Sequence, residues 1–260
     1  MKFKKPILVA MVSVVFACTA VAQNKTGADG NPIPLDAADE PHHSVLFENE
    51  YVRVLSFDLG PQKTTSLHAH RDDFVRVALT DADLQISQDA NAYSHPQTNI
   101  SGGVTPELRG VARFLYGKRQ LMAHNPETVI SYRSVEIEIK KISQQTYNCS
   151  PYDANCLLDF SVVPLALERD KTYAETLDRD TVRVTEVQVL PKEEWKSHLR
   201  SYPYLVVAVS DVDLIDTSNT DEALEFQAPS GGVQWAPKSF MGSLKNVSDK
   251  AARFVIVELK

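Results

Sequence analysis

The amino-acid sequence predicts an all-β protein built from two like domains. Three observations carry that reading: runs with a period of two, turn residues between them, and an internal repeat. Phe57 and Leu59 alternate with polar neighbours, as do Val135, Ile137 and Ile139, and Phe254 and Ile256 follow more loosely. A period of two marks a strand whose two faces meet different surroundings. Gly60-Pro61, Asp81 to Asp83, Asn91 to Gln97 and Asn125-Pro126 separate these runs, and short strands at such spacing indicate a sandwich or a barrel. Helix is scarce, with Ala154 to Phe160 and Glu193 to Ser197 the best candidates.

The repeat is the strongest of the three. Shifting residues 44–84 by 130 places them on 174–214 with ten identities in 41 positions and no gap. Val52-Arg53-Val54 falls on Val182-Arg183-Val184, Pro61 on Pro191, His68 on His198, Val77-Ala78 on Val207-Ala208, and Asp81-x-Asp83-Leu84 on Asp211-x-Asp213-Leu214. Further on the match loosens to Ser-Gly-Gly-Val at 101–104 and 230–233, an Asn at 125 and 246, and Glu-Ile-Lys at 138–140 against Glu-Leu-Lys at 258–260. A period of that length is too long for a solenoid. It divides the chain into 44–140 and 174–260, joined by a linker at 141–173.

With 260 residues, the chain can bury two real cores. Its net charge of −7 works against nucleic acid, whose binding draws on clustered cations. Lys2, Lys4 and Lys5 precede an apolar run from Pro6 to Ala17 and then Ala20-Val21-Ala22. That is the layout of a secretory signal over residues 1–22, too short for a comfortable span; its cleavage would leave an exported, periplasmic or secreted protein with no stable membrane insertion. Residues 23–43, rich in Gly, Pro, Asp and Asn, read as a flexible arm. Export leaves Cys149 and Cys156 around a turn-rich stretch, and an even pair this close in an oxidising compartment reads as a disulfide within the linker.

The segment Glu48-Asn49-Glu50 … Val52-Arg53-Val54 … Gly60-Pro61 … His68-Ala69-His70 resembles the first conserved motif of the cupin superfamily. Trp235-Ala236-Pro237 … Asn246-Val247-Ser248 … Arg253 to Glu258 resembles the second motif with its last strand. Two copies make the chain look like a bicupin, which implies two double-stranded β-helix (jelly-roll) barrels in tandem. The family spans dioxygenases, isomerases, decarboxylases, storage proteins and sugar-binding regulators, so the fold does not choose a chemistry.

His68 and His70 are the sharpest chemical feature, because residues i and i+2 of a strand share a face and two imidazoles there can meet one divalent transition metal, whether Fe, Mn, Ni, Cu or Zn. In metal-holding cupins a Glu follows at a spacing that here falls on Phe74 or Val75, and a further His falls on Leu121; neither ligand is present. Asp72 or Asp73, and His124, are the substitutes within reach, with His68, His70, Asp73 and His124 as one alternative set. In the second half His198 keeps its place, but its partner is Arg200, which cannot ligate a metal. His198, Arg200, Tyr202 and Tyr204 could line a mouth for an anionic or sugar-like ligand. No Ser-His-Asp spacing, phosphate loop or zinc-protease motif occurs. The sequence therefore predicts an exported bicupin that binds a small organic molecule and is non-catalytic or only weakly metal-binding, with an incomplete ligand set for one divalent metal in the first barrel. The alternative is a metal-dependent oxygenase or isomerase acting on a small acid or sugar through that barrel. Self-association as a homodimer is compatible with the family.

Overall fold

A computed structural model describes residues 26–28, 32–87, 104–140, 171–178, 181–196, 202–217, 225–236 and 243–260. The signal segment, Cys149, Cys156, His198, Arg200 and the helix candidate at 154–160 lie outside them.

The first half contributes β1 (Leu35–Asp36), β2 (His43–Glu48), β3 (Val52–Leu59), β4 (His68–Ala69), β5 (Phe74–Ala78), β6 (Ala82–Ser87), β7 (Val104–Glu107), β8 (Ala112–Leu115), β9 (Gln120–His124) and β10 (Tyr132–Ile139). The second contributes β11 (Tyr173–Asp178), β12 (Val182–Val189), β13 (Glu194–Lys196), β14 (Tyr204–Ala208), β15 (Val212–Asp216), β16 (Glu225–Ala228), β17 (Val233–Ala236), β18 (Ser243–Asn246) and β19 (Ala252–Leu259). One sheet of the first half runs β2-β3-β10-β5-β8, and its counterpart runs β11-β12-β19-β14-β17. The facing sheets run β1-β4-β9-β6-β7 and β13-β18-β15-β16. Apart from β1 the two strand orders are identical, so the repeat in sequence is a repeat in topology.

Matching contacts in the two halves explain the doubled residues. Lys63 N–H bonds to the Gly60 carbonyl and Glu193 N–H to the Leu190 carbonyl. In each turn Pro sits second, and Gln62 (φ 57°) or Lys192 (φ 64°) sits third in the left-handed region. Asn125 Nδ2 donates to the carbonyls of Leu59 and Ile130, and Asn246 Nδ2 to those of Val189, Leu190 and Lys250. Asp81 Oδ1 accepts from Arg109 N–H and Asp211 Oδ1 from Ser230 N–H. Each bond precedes a glycine in the left-handed region, Gly110 or Gly231. The structural counterpart of Ser230-Gly231-Gly232 is therefore Arg109-Gly110-Val111; of the sequence match, residues 101–103 lie outside the described residues and Val104 begins β7.

The long central strands are buried on both faces. Val52, Val54, Val75, Val77, Val135 and Ile137 form one apolar cluster with Val182, Val184, Leu205, Val207, Val255 and Val257, where the two large sheets pack together. Burying a Val or Ile side chain is worth about 1.5–3 kcal/mol, so this seam joins the halves firmly. Arg109 Nη2 donates to the Val209 carbonyl at 2.8 Å, Arg253 Nη2 to the Arg109 carbonyl at 3.0 Å, and Ala112 N–H to Glu186 Oε1 at 3.1 Å.

Two sequence readings need correction. Residues 35–43 do not form a free arm: β1 pairs in parallel with β4, Asp36 caps the 3-10 turn Ala37–Asp39, and Ala37 and His43 are buried. Glu194-Trp195-Lys196 is a strand paired with β18 rather than helix, half-burying Trp195 between two polar residues. Among the described residues no helix is long and apolar enough to cross a membrane.

Candidate metal centre

On β10 the side chains of Val135, Ile137 and Ile139 face the other half, which turns Tyr132, Ser134, Glu136 and Glu138 into the first barrel. On β3 the same alternation sends Arg53, Leu55, Phe57 and Leu59 inward. Among the described residues of this half, four carboxylates (Glu40, Glu107, Glu136, Glu138) and three guanidiniums (Arg53, Arg76, Arg113) are buried.

Three imidazoles meet at one end of this interior. His68 comes from β4, His70 directly follows it, and His43 begins β2; all three are buried, with ligand atoms within 4.8 Å of one another. Glu136 Oε2 lies 3.1 Å from His43 Nε2 and 3.4 Å from His70 Nε2. Each ring is held by its other nitrogen: His43 Nδ1 to Glu40 Oε2 at 2.8 Å, His68 Nδ1 to the Ser66 carbonyl at 2.9 Å and His70 Nδ1 to Glu138 Oε1 at 2.9 Å. Such outer bonds fix which ring nitrogen faces the ion and raise its basicity. They are themselves anchored. Glu40 also takes the Ser66 N–H and His42 Nδ1, while Glu138 takes Arg53 Nε at 2.5 Å. Asp36 pairs with both Arg53 and Arg71.

The electrostatics fit a cation. Burial alone would push His43 down, but Glu136 and Glu40 raise it to about 9. Burial likewise opposes ionisation of Glu136, yet His70, His43 and Arg76 hold it at about 2. Burial depresses His68 to about 4, aided by the charge on His43. Among the described residues four buried carboxylates face three buried guanidiniums and the protonated His43, and a cation between the imidazoles and Glu136 would take the place of that proton. Three imidazole nitrogens and one carboxylate suit Fe, Mn, Ni, Cu or Zn. The span of 4.8 Å is close to the about 4.2 Å between donors on opposite sides of one ion with bonds near 2.1 Å.

The sequence singled out His68 and His70; the structure adds His43 and Glu136. Leu121, where the family would carry a further His, faces His68 across the β4–β9 ladder. Phe74, where it would carry Glu, stacks on His70 at 3.8 Å, and the carboxylate comes instead from the neighbouring strand, where Glu136 sits opposite Arg76. Asp73 and His124 are elsewhere: Asp73 Oδ1 accepts from Gly117 N–H at 2.9 Å, and His124 Nδ1 lies 2.8 Å from Thr64 Oγ1. In the second half Tyr204 is part of the apolar core rather than a mouth, its hydroxyl pushed up to about 12 by burial. Tyr202 is half-buried just before β14.

No protein-family model and no curated protein sequence matches the chain. Its fold is similar to that of AerE from Microcystis aeruginosa, at 12% identity over 85% of this chain and 98% of that one, with a TM-score of 0.53. It is also similar to vicilin from Corylus avellana (hazelnut), at 8% identity over 84% and 83% with a TM-score of 0.52. Oxalate decarboxylase from Bacillus subtilis, a protein with Mn(II) centres, matches at 12% identity over 82% and 70%, again at 0.52. Likeness at such low identity is likeness of fold, and with two topologically identical halves it is decisive on that point: this chain has the cupin fold twice over, the fold of a bicupin.

Proposed function

We propose that this protein is exported and handles a small organic molecule at one divalent transition metal, held in the first barrel by His43, His68, His70 and Glu136. The observation that carries the reading is the convergence of three buried imidazoles on Glu136, each with its Nδ1 already bonded away from the centre. When bound, the metal would polarise an oxygen of the organic ligand or bind dioxygen. Glu40, Glu138 and the Ser66 carbonyl orient the ligating rings. Phe74 and Phe57, stacked on His70 and His43 at 3.8 and 4.4 Å, keep water off them. The likeness to oxalate decarboxylase, a protein with Mn(II) centres, supports an enzymatic role, which we assign to the first barrel with the second as scaffold. Export rests on residues 1–22, with cleavage expected after Ala22.

Elemental analysis of the purified chain tests the centre. The wild type is expected to hold one transition metal per chain. His68→Ala and His43→Ala should each lower affinity about 100-fold or more, while Asp73→Asn and His124→Gln leave it unchanged. Equal metal content in wild type and His43→Ala would overturn the assignment.

A further inference from the structure

Beside the metal centre the barrel interior holds donors with nothing to donate to. Arg76 Nε is buried and has no hydrogen-bond partner, and the buried hydroxyls of Tyr132 and Ser134 have none beyond each other. They are neighbours by register. Arg76 lies directly opposite Glu136 in the β5–β10 ladder, and Ser134 and Tyr132 follow Glu136 at two-residue steps on the same inward face. Tyr132 is wholly buried and Ser134 is 1% exposed. Buried polar atoms are nearly always bonded, and leaving one unmet is costly, so a guanidinium N–H and the spare proton of a hydroxyl pair on one wall point to something that meets them.

Their chemistry selects the class. A guanidinium N–H gives and never accepts, and both hydroxyls can turn their protons toward one acceptor. Arg76 Nη2 and Arg113 Nε both hold Glu107, at 2.8 and 3.2 Å, so two guanidiniums share one carboxylate there. Among the described residues, three buried guanidiniums and a divalent cation outweigh the four buried carboxylates by one unit, which a monoanion neutralises. Same-face residues of a strand stand about 7 Å apart, so an anion at Ser134 and Tyr132 can reach the metal beside Glu136 with a two- to four-carbon skeleton.

We infer that Arg76, Tyr132 and Ser134 form the recognition wall for the carboxylate of a small organic monoacid whose other end faces the metal. This rests on the metal reading above and adds the substrate class to it. Tyr132→Phe and Ser134→Ala are the decisive variants, because each removes a hydroxyl that meets no protein group except the other hydroxyl. Both should fold, with melting temperatures within a few degrees of wild type, and should keep full metal content.

The experiment is calorimetric titration of the Mn(II)-loaded full chain with glycolate and lactate, and with uncharged glycolamide as control. The wild type should bind an acid and not the amide, and each variant should weaken that binding about tenfold. Unchanged affinity in both variants, equal binding of the amide, or no binding to a chain carrying stoichiometric metal would each overturn the wall. Should the chain take up no metal, the centre is wrong, and the same titration of metal-free protein still decides the wall. Acid binding that depends on both hydroxyls keeps it, and its absence removes it.

Discussion

The two barrels share a scaffold and differ in what fills it. Both keep the Pro turn with its left-handed third residue, the Asn that clips the last loop, and the Asp that holds the glycine turn. Both also keep an inward Arg paired with a Glu of the last strand, Arg53 with Glu138 and Arg183 with Glu258. By ladder register, Tyr132, Ser134 and Glu136 of the first barrel correspond to Ala252, Phe254 and Ile256 of the second. Arg76 corresponds to Val206, Arg113 to Gln234 and Glu107 to Ala228. Apart from half-buried Ala228, those apolar replacements are buried in one cluster with Leu214 and Leu244. What both copies retain belongs to the fold. What only one retains belongs to its chemistry.

Installing the first barrel's carboxylate in the second breaks that division most violently. Ile256→Glu places a carboxyl among Val206, Phe254 and Leu244, where the described residues offer no imidazole or guanidinium to meet it. A carboxyl buried without a partner can have its pKa raised by 3–5 units, so the substitution should cost about 5 kcal/mol at neutral pH. The folded state holds the proton more tightly than the unfolded state. The penalty is therefore full above the raised folded pKa and fades as pH falls toward the ordinary Glu value near 4.3. Urea denaturation at pH 7 and pH 4.5 reads both parts. A cost that does not shrink on acidification would mean that the second interior is less apolar than its lining indicates.

The converse change is next in size. Glu107→Ala removes the carboxylate shared by Arg76 and Arg113 and should cost about 3–5 kcal/mol, because it leaves buried charge unmet. Replacing all three together by their counterparts, as Arg76→Val, Glu107→Ala and Arg113→Gln, should recover most of that loss, since whole buried networks exchange for apolar residues with little net cost. Failure of the triple variant to recover would show that the ion network shapes the first barrel and does not merely occupy it.

The same comparison explains how much of the site could be read from sequence. The fold was legible because the repeat and the period of two are properties of the scaffold. His68 and His70 were legible because two imidazoles at i and i+2 need no partner strand to be noticed. His43 was hidden in a segment whose Gly, Pro and Asp content resembles a mobile arm, yet Asp36 and Glu40 tie that segment down through Arg53, Arg71 and Ser66. Glu136 was hidden by the usual reading of an alternating strand, in which charge faces water. On β10 the apolar face meets the second barrel, so the charged face is the interior. The signal that could have found Glu136 is the repeat itself: Glu138 has its Glu258, whereas Glu136 has Ile256.

Asn125 and Asn246 offer a smaller test, with equality as its expected result. Each side chain is buried and gives its N–H groups to carbonyls of the preceding turn and the following loop. Asn125→Ala and Asn246→Ala should each cost about 2–3 kcal/mol, the penalty for stranding buried carbonyls, and neither should change metal content. Unequal costs, or metal lost with Asn125→Ala, would mean that this clip positions the centre rather than the fold.

The smallest expected effect comes from the Pro turns. Gln62 and Lys192 both adopt left-handed backbone, which costs an L-residue about 1–2 kcal/mol and glycine almost nothing. Glycine also adds about 0.5–1 kcal/mol of chain entropy to the unfolded state. Gln62 Nε2 donates to the carbonyls of Pro126 and Glu127, and Lys192 Nζ to that of Val247, but these bonds are exposed and worth little. Gln62→Gly and Lys192→Gly should therefore each stabilise by about 0.5 kcal/mol, and because the two turns lie in separate barrels the double variant should gain the sum. Denaturant midpoints of the two single variants and the double variant measure this. A gain in one half only would show that the turns, though alike in backbone, carry different loads in the two barrels.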